Sequence, residues 1–541
     1  MSNETVPQPT APQGAPDAPD PSGAPGPVAG PAYLTHREII QVMIGLMAGM
    51  FLAALDQSIV GTALPQIVSD LGGLEYYSWV VTAYLLTSTA STPLWGKISD
   101  LRGRRPMFQA AIIIFLIGSL IAGASQSMAM LVAGRAVQGL GGGGLIALAL
   151  AIIGDIIPPR ERGKYQGMFG AVFGVSSVAG PLLGGFFTDG PGWRWIFWLN
   201  IPIGLAALFI TSRALHMPVV RREHRVDYLG AAVIVGSVTS ILLYTSWAGG
   251  EYGWTDPFAL ALLVGGLLLA VAFVFIERRA VEPIIPMHLF RRPVFRWSVL
   301  FAFLMGMAMF GGIIYLPFYL QVVKGYSPTE SGLALLPMVV GMFVTSVGSG
   351  LLVTRTGRYR IYPILGAVIA LVALLLLTRL EQDTPYWEFS IYIFLLGAGL
   401  GFTMQTVVTA VQNDVDPRDL GTGTSSVTFF RSMGGAFGAA LLGAVLTNRV
   451  AHYLAEVLPE GSGADVGGSM GDIAAIAALP DPVRSVVLEA FMQSIQDLFL
   501  VAVPFVAVAV VVAFLIPEVP LRTRHGGEAE VLDEPAPAAF E

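Results

Sequence analysis

Long apolar runs and short polar breaks alternate along almost the whole chain. Fourteen runs are long enough to cross a bilayer as helices: 39–64, 77–96, 106–125, 129–155, 164–188, 194–213, 227–248, 257–276, 297–322, 331–354, 361–379, 389–411, 421–447 and 497–516. The pattern predicts an all-α polytopic membrane protein. The polar breaks between the runs are not equivalent. Taken alternately from the N-terminal arm, one set holds 23 of the 30 Lys and Arg residues. The other set holds Arg194, Lys324, Arg379, Arg449 and Arg484, while Arg135 and Arg431 lie inside runs. Positive charge gathers on the cytoplasmic side of bacterial membrane proteins, so the bias predicts a multi-pass protein of the inner (cytoplasmic) membrane with both termini cytoplasmic.

One run carries a second pattern. Gly167, Gly170, Gly174, Ser177, Pro181 and Gly184 recur at steps of three and four residues, which is one helix face with almost no side chain on it. In a membrane such a face admits close approach of another helix. Pro181 followed by Gly184 and Gly185 predicts a kink. Two readings fit: a contact between halves of a transporter that rock, or tight packing in any polytopic protein.

The ends read as unstructured: a Pro/Ala/Gly-rich arm over 1–37 and an acidic tail over 521–541. The arm lacks the basic start and apolar core of a signal peptide. The one long break, 448–496, lies on the outer side, where 474–479 and 483–496 read as short amphipathic helices over the outer face. A weak repeat links two breaks. Gly96, Asp100, Gly103 and Arg104 match Gly350, Thr354, Gly357 and Arg358, eight runs apart. Two six-helix halves with two further helices between them give that offset, and repeat-built carriers hold their cargo between the halves. The expected organisation is therefore 38–213, a linker pair 214–296, and 297–520.

Composition removes alternatives. Of 541 residues, 54% are hydrophobic and 12% charged, against about 25% charged in soluble domains. There is no Cys, so no disulfide, thiolate metal site or thiol nucleophile is available. A net charge of −7 gives no nucleic-acid signature. The six His residues are scattered and no metal-spaced or two-carboxylate set occurs, so neither a cofactor, a metal nor an enzyme is expected. Gly139 to Gly144 spell G-x-G-x-x-G, but inside an apolar run with no βαβ unit around them; close packing is the better reading.

Four stretches resemble the major facilitator superfamily, in particular its fourteen-span drug:proton antiporter branch. They are LDQSIVGTALP (55–65), GKISDLRGRR (96–105), RAVQGLGGG (135–143) and GVSSVAGPLLGG (174–185); YLQVVKGYSPTESGLALLP (319–337) is similar to that branch as well. The resemblance covers about residues 38–520. It implies the major facilitator fold, two six-helix bundles plus two extra transmembrane helices, with no cofactor and a monomer in membrane lipid. The stretch with Gly174, Gly180, Pro181, Gly184 and Gly185 is similar to the helix typical of antiporters.

Asp56 is the one acid deep inside a run, and an ionisable group there is a functional candidate by default. Counting from the helix ends places Asp56 and Arg135 at similar depth, within reach of a direct or water-bridged pair. Such a pair is either a proton-carrying couple or a permanent structural bridge; the resemblance implies the first. Gln138 shares the Arg135 face and either relays hydrogen bonds or meets substrate. Gly96, Asp100, Arg102, Gly103 and Arg104 are candidates for a cytoplasmic gate. The resemblance implies that Asp100 closes that side on a C-half helix starting near 421–425. Asp155 with Arg160 and Arg162 forms a second charged group there. Arg431 is either a structural Arg bound to carbonyls or to Asn413 and Asp414, or a substrate contact. Met309, Phe310, Tyr315 and Phe318, with Gln321, are candidate cavity wall or plain core.

The expected function is a proton-coupled antiporter exporting amphipathic small molecules, a multidrug efflux transporter conferring antibiotic resistance. The alternative is a same-fold exporter of one cargo: a lipid, a siderophore or a self-made secondary metabolite. Relatives that export dications carry extra acids in two later spans that 331–354 and 421–447 lack, which favours neutral or weakly basic cargo.

Overall fold

The computed structural model describes residues 36–71, 77–157, 159–215, 227–247, 252–457 and 480–521. In chain order the helices are α1 (His36–Leu71), α2 (Tyr77–Arg102), α3 (Arg104–Gly123), α4 (Met128–Ile156), α5 (Pro159–Asp189), α6 (Trp195–Trp198), α7 (Asn200–Ala214), α8 (Tyr228–Trp247) and α9 (Pro257–Glu277). They continue with α10 (Pro293–Val322), α11 (Pro328–Ala334), α12 (Leu336–Thr356), α13 (Ile361–Leu377), α14 (Tyr386–Asp414), α15 (Leu420–Val457) and α16 (Asp481–Leu515). Among the described residues, twelve helical stretches are long and apolar enough to cross a membrane. Two other helices complete the bundles. Helix α13 is apolar but 17 residues long. Helix α2 is diluted by Ser and Thr, which return their hydroxyls to helix carbonyls, as Thr92 does to Ser88 at 2.8 Å.

Helices α1 to α7 pack on one another, as do α10 to α16, and α8 with α9 forms a separate pair whose α8 touches α2 and α15. Helix α9 presents Leu267, Leu268, Val271 and Phe275 outward, as a lipid-facing helix does. The glycine run of α4 packs closely on both sides. A Cβ at Gly143 would sit 2.2 Å from the Ser88 carbonyl oxygen, and one at Gly141 2.5 Å from that of Ala111, so α2 and α3 lie backbone-to-backbone against α4.

The two repeated breaks share a backbone device. Gly103 (φ 95°) and Gly357 (φ 70°) occupy matching motif positions in the left-handed region, which lets each chain leave one helix and turn to the next. Beside the second, Tyr359 donates to the Pro517 carbonyl at 2.9 Å and accepts from the Val519 N–H at 3.0 Å. Burial pushes its phenol up to about 12, so it keeps its proton at physiological pH.

The outer break differs from the sequence reading. Helix α15 continues to Val457, and 483–496 is the first part of α16 rather than a separate surface helix. Nothing breaks the helix there; Val487, Phe491 and Ile495 are buried, and the helix packs on α10, α13 and α15. The segment 474–479, the arm to residue 35 and the tail from 522 lie outside the described residues.

Candidate functional site

A buried polar cluster occupies the centre of the α1–α7 bundle. The Asp56 carboxylate on α1 is fully buried and forms an ion pair with Arg135 on α4, itself 1% exposed. Asp56 also accepts from Gln138 Nε2 at 3.0 Å and from Asn200 Nδ2 at 3.1 Å. Gln138 and Asn200 both reach the Ser119 hydroxyl on α3, at 2.7 and 3.2 Å. Arg135 also donates to the Gln138 side-chain oxygen (2.9 Å) and the Val80 carbonyl (3.1 Å), and its guanidinium lies over the Tyr84 ring at 4.4 Å. The anion is thus held by donors from two helices beyond its own. Each charge of the pair is thus the other's counter-charge in a place with no water to replace it.

Asn200, Ser119 and Tyr84 were not singled out in the sequence. Each is a small or aromatic polar residue in an apolar run, where such residues usually satisfy local carbonyls. Asn200 carried one signal: it stands where the run breaks between α6 and α7.

The cluster borders a cavity of about 180 Å³ between the two bundles, with Tyr84 and Arg135 in one wall and Arg431, Thr428 and Ser432 in the opposite one. Between them the walls are Met309, Met338, Met342, Met404, Phe173 and Phe310, with Gln57 and Ser58 from α1. Gln138 lies behind Arg135 rather than in the wall. Tyr315 and Phe318 lie outside this lining. Tyr315 donates to the Ala439 carbonyl at 2.7 Å, and Phe318 packs on Phe491 of α16 at 5.7 Å between ring centres. Phe318 follows Met309 by two and a half helical turns and therefore faces the other way. Gln321 is half-buried beyond the cavity. A second opening of about 360 Å³ lies between α2, α8, α10 and α15 and shares Val81, Leu85 and Ile314 with the cavity.

At the end of the bundles that carries the basic breaks, Asp100 of α2 reaches across to α15. It accepts from the backbone N–H groups of Gly421 (3.2 Å) and Thr422 (2.9 Å) and from the Thr422 hydroxyl (2.9 Å). These are unpaired donors of a helix N-terminus, where a carboxylate is favoured. Arg104 holds Asp100 and Asp155 together, at 2.6 Å from each. Gly96 makes the approach possible: a Cβ there would fall 2.0 Å from Ser425 Oγ. Arg102 is exposed and stands outside this cluster. Arg162 donates to the Gln412 carbonyl at 3.1 Å, while Gln412 donates to the Leu150 carbonyl at 2.9 Å, a reciprocal tie between the bundles. The Arg160 side chain lies outside the described residues.

The break after α9 spans the same end. Glu282 pairs with Lys97 at 2.6 Å, His288 with Asp419 at 2.9 Å, and Arg292 with Asp416 at 3.1 Å. The sequence reading gave this segment no role, because its partners, Lys97 and the pair Asp416 and Asp419, lie in two stretches far apart in the chain.

Helix α5 stands between the bundles. Gly180 and Gly184 receive Ser58 and Thr62 of α1, Gly174 receives Val339 of α12, and Pro181 and Gly185 face Gly332 and Thr329 of α11. The small residues therefore serve two partner surfaces rather than one. The Ser58 hydroxyl donates to the Ser176 carbonyl at 2.8 Å. The helix continues through Pro181 to Asp189.

A family model described as Major Facilitator Superfamily matches residues 46–439. The chain is 41% identical over 519 residues to an uncharacterised transporter of this type from Mycobacterium tuberculosis, covering 96% of this chain and 74% of that one. It is 39% identical over 419 residues to the multidrug transporter protein MdtP of Bacillus subtilis, 77% of either chain. Among solved structures it is similar to a proton:xylose symporter, XylE, with a TM-score of 0.57 and 13% identity over 90% of this chain and 97% of that one.

Proposed function

The chain belongs to the major facilitator superfamily, and on that premise we propose that this transporter is a proton-coupled antiporter exporting amphipathic small molecules across the cytoplasmic membrane by alternating access. The observation that carries the reading is the fully buried Asp56–Arg135 pair at the wall of the cavity between the bundles. A titratable acid in that place takes a proton from one side and returns it to the other as access alternates. Each proton entering down a 100 mV potential supplies about 2.3 kcal/mol, apart from any pH gradient.

The rest of the geometry fits this cycle. The basic end is the cytoplasmic one by the distribution of positive charge, and there the Asp100 contact with α15 is the latch that opens. Helix α5, with small residues toward both bundles, is the surface on which they rock. Cavity walls of Met and Phe accept apolar bodies of varied shape. The similarity to a protein named a multidrug transporter supports export as the direction. The transporter works as a monomer in membrane lipid, with protons and the cargo as partners.

The test uses inverted vesicles with an acidic interior and a pH-sensitive dye. Wild type releases protons when lipophilic dyes or antibiotics are added, and Asp56→Asn does not while still binding them. Proton release that persists in Asp56→Asn removes Asp56 from the mechanism. No release from folded wild type with any compound ends the broad-efflux reading.

A further inference from the structure

The cavity holds a positive charge that the described part of the protein does not neutralise. Arg431 of α15 is 7% exposed and lines the cavity. It makes no hydrogen bond or ion pair with any described residue. The groups expected from the sequence to hold it are committed elsewhere. Asn413 donates to the Pro520 carbonyl at 3.1 Å, and Asp414 lies beside Arg292. Asp56, across the cavity, is taken by Arg135, Gln138 and Asn200.

An unpaired guanidinium at this depth is costly unless something compensates it. Its immediate surroundings, Met305, Leu400, Met404 and Val407, offer no charge. The backbone is fixed against α10, because a Cβ at Gly306 would fall 2.2 Å from the Arg431 carbonyl oxygen. The five donors of the guanidinium form a planar fork that matches a carboxylate.

We propose that Arg431 is the headgroup site for an anionic amphiphile, whose carboxylate takes the guanidinium fork while its apolar body lies along Met309, Met338 and Met404. The cargo class is therefore amphipathic acids rather than the neutral or weakly basic compounds favoured by sequence. This deepens the exporter reading and rests on it only for the direction of movement; binding at Arg431 needs no proton gradient.

The experiment is a fluorescence titration of the full chain in phosphatidylcholine nanodiscs, which keep anionic lipid out of the site. The probes are dansyl-undecanoic acid and its methyl ester, which share one apolar body and differ in charge. A charge-assisted pair of this kind gives wild type about a tenfold or greater preference for the acid. Arg431→Gln abolishes that preference while both probes still bind, which also shows that the variant is folded. Arg431→Lys keeps the charge without the fork and retains part of it. Equal binding of acid and ester by wild type overturns the proposal. So does an equal loss for both probes in Arg431→Lys, which makes Arg431 a packing residue even if Arg431→Gln does not fold. Failure of proton-coupled export in vesicles with the acid preference intact removes the antiport reading and leaves this one standing.

Discussion

Asp56 and Arg135 bury two charges in a place where either alone is unwelcome. Removing one partner of such a pair costs about 3–5 kcal/mol, whereas removing both often costs little. Arg135→Gln alone therefore lowers the thermal midpoint strongly, and Asp56→Asn with Arg135→Gln recovers most of the loss, as read by tryptophan fluorescence on heating. The double variant regains stability without regaining coupled export, which separates a structural bridge from a proton carrier. The pair was legible in the sequence because a charge inside an apolar run is conspicuous and helix geometry gives its depth. Asn200 and Ser119 were not, since a small polar residue in such a run satisfies a local carbonyl as readily as it supports an acid. Arg431 was visible as a charge, but the two readings of it differ only in which groups lie around it, and these come from other helices.

At the scale of the helix, contact depends on which face carries the small residues. Gly96 has no spare room toward Ser425, and α2 meets α15 there only because the side chain is absent. Gly96→Val holds the two helices apart. A single Cys placed at Thr424, buried in this structure, then reacts with a membrane-impermeant maleimide about tenfold faster or more in Gly96→Val than in the otherwise wild-type chain. The natural absence of Cys makes that thiol the only one present. The glycine spacing of α5 was readable, but period alone treats one stripe as one surface. Helix α5 uses it for α1 on one side and for α11 and α12 on the other, which depends on where it sits between the bundles. The same limit explains α10: Met309 and Tyr315 share a run, while only packing decides which face meets the cavity.

Across the whole molecule, the segment after α9 joins parts that otherwise meet only through the bundles. Lys97 belongs to the α2 motif, Asp419 and Asp416 precede α15, and residues 282–292 touch all three. Lys97→Glu puts two acids together and weakens the closed arrangement by about 1 kcal/mol, or about fivefold in the open fraction read by the same Thr424→Cys labelling. Lys97→Glu with Glu282→Lys restores the wild-type rate; a rate that stays high makes the segment a bystander. The six-plus-two-plus-six arrangement was expected from the repeat and the count of runs. The bracing by the linker segment was not, because ion pairs between distant loops leave no periodic trace.

The opening between α2, α8, α10 and α15 changes what concentration means for this transporter. Its walls belong to membrane-spanning helices and share three residues with the cavity. A compound that passes there is sampled from oil, not from water. Its half-saturating dose, expressed against the aqueous phase, then contains its partition coefficient as a factor. Two compounds with identical contacts but a tenfold difference in partitioning differ tenfold in apparent potency. A ranking of cargoes by dose is in part a ranking by solubility in the membrane, and only mole fraction in the lipid separates what the protein selects from what the bilayer has already concentrated.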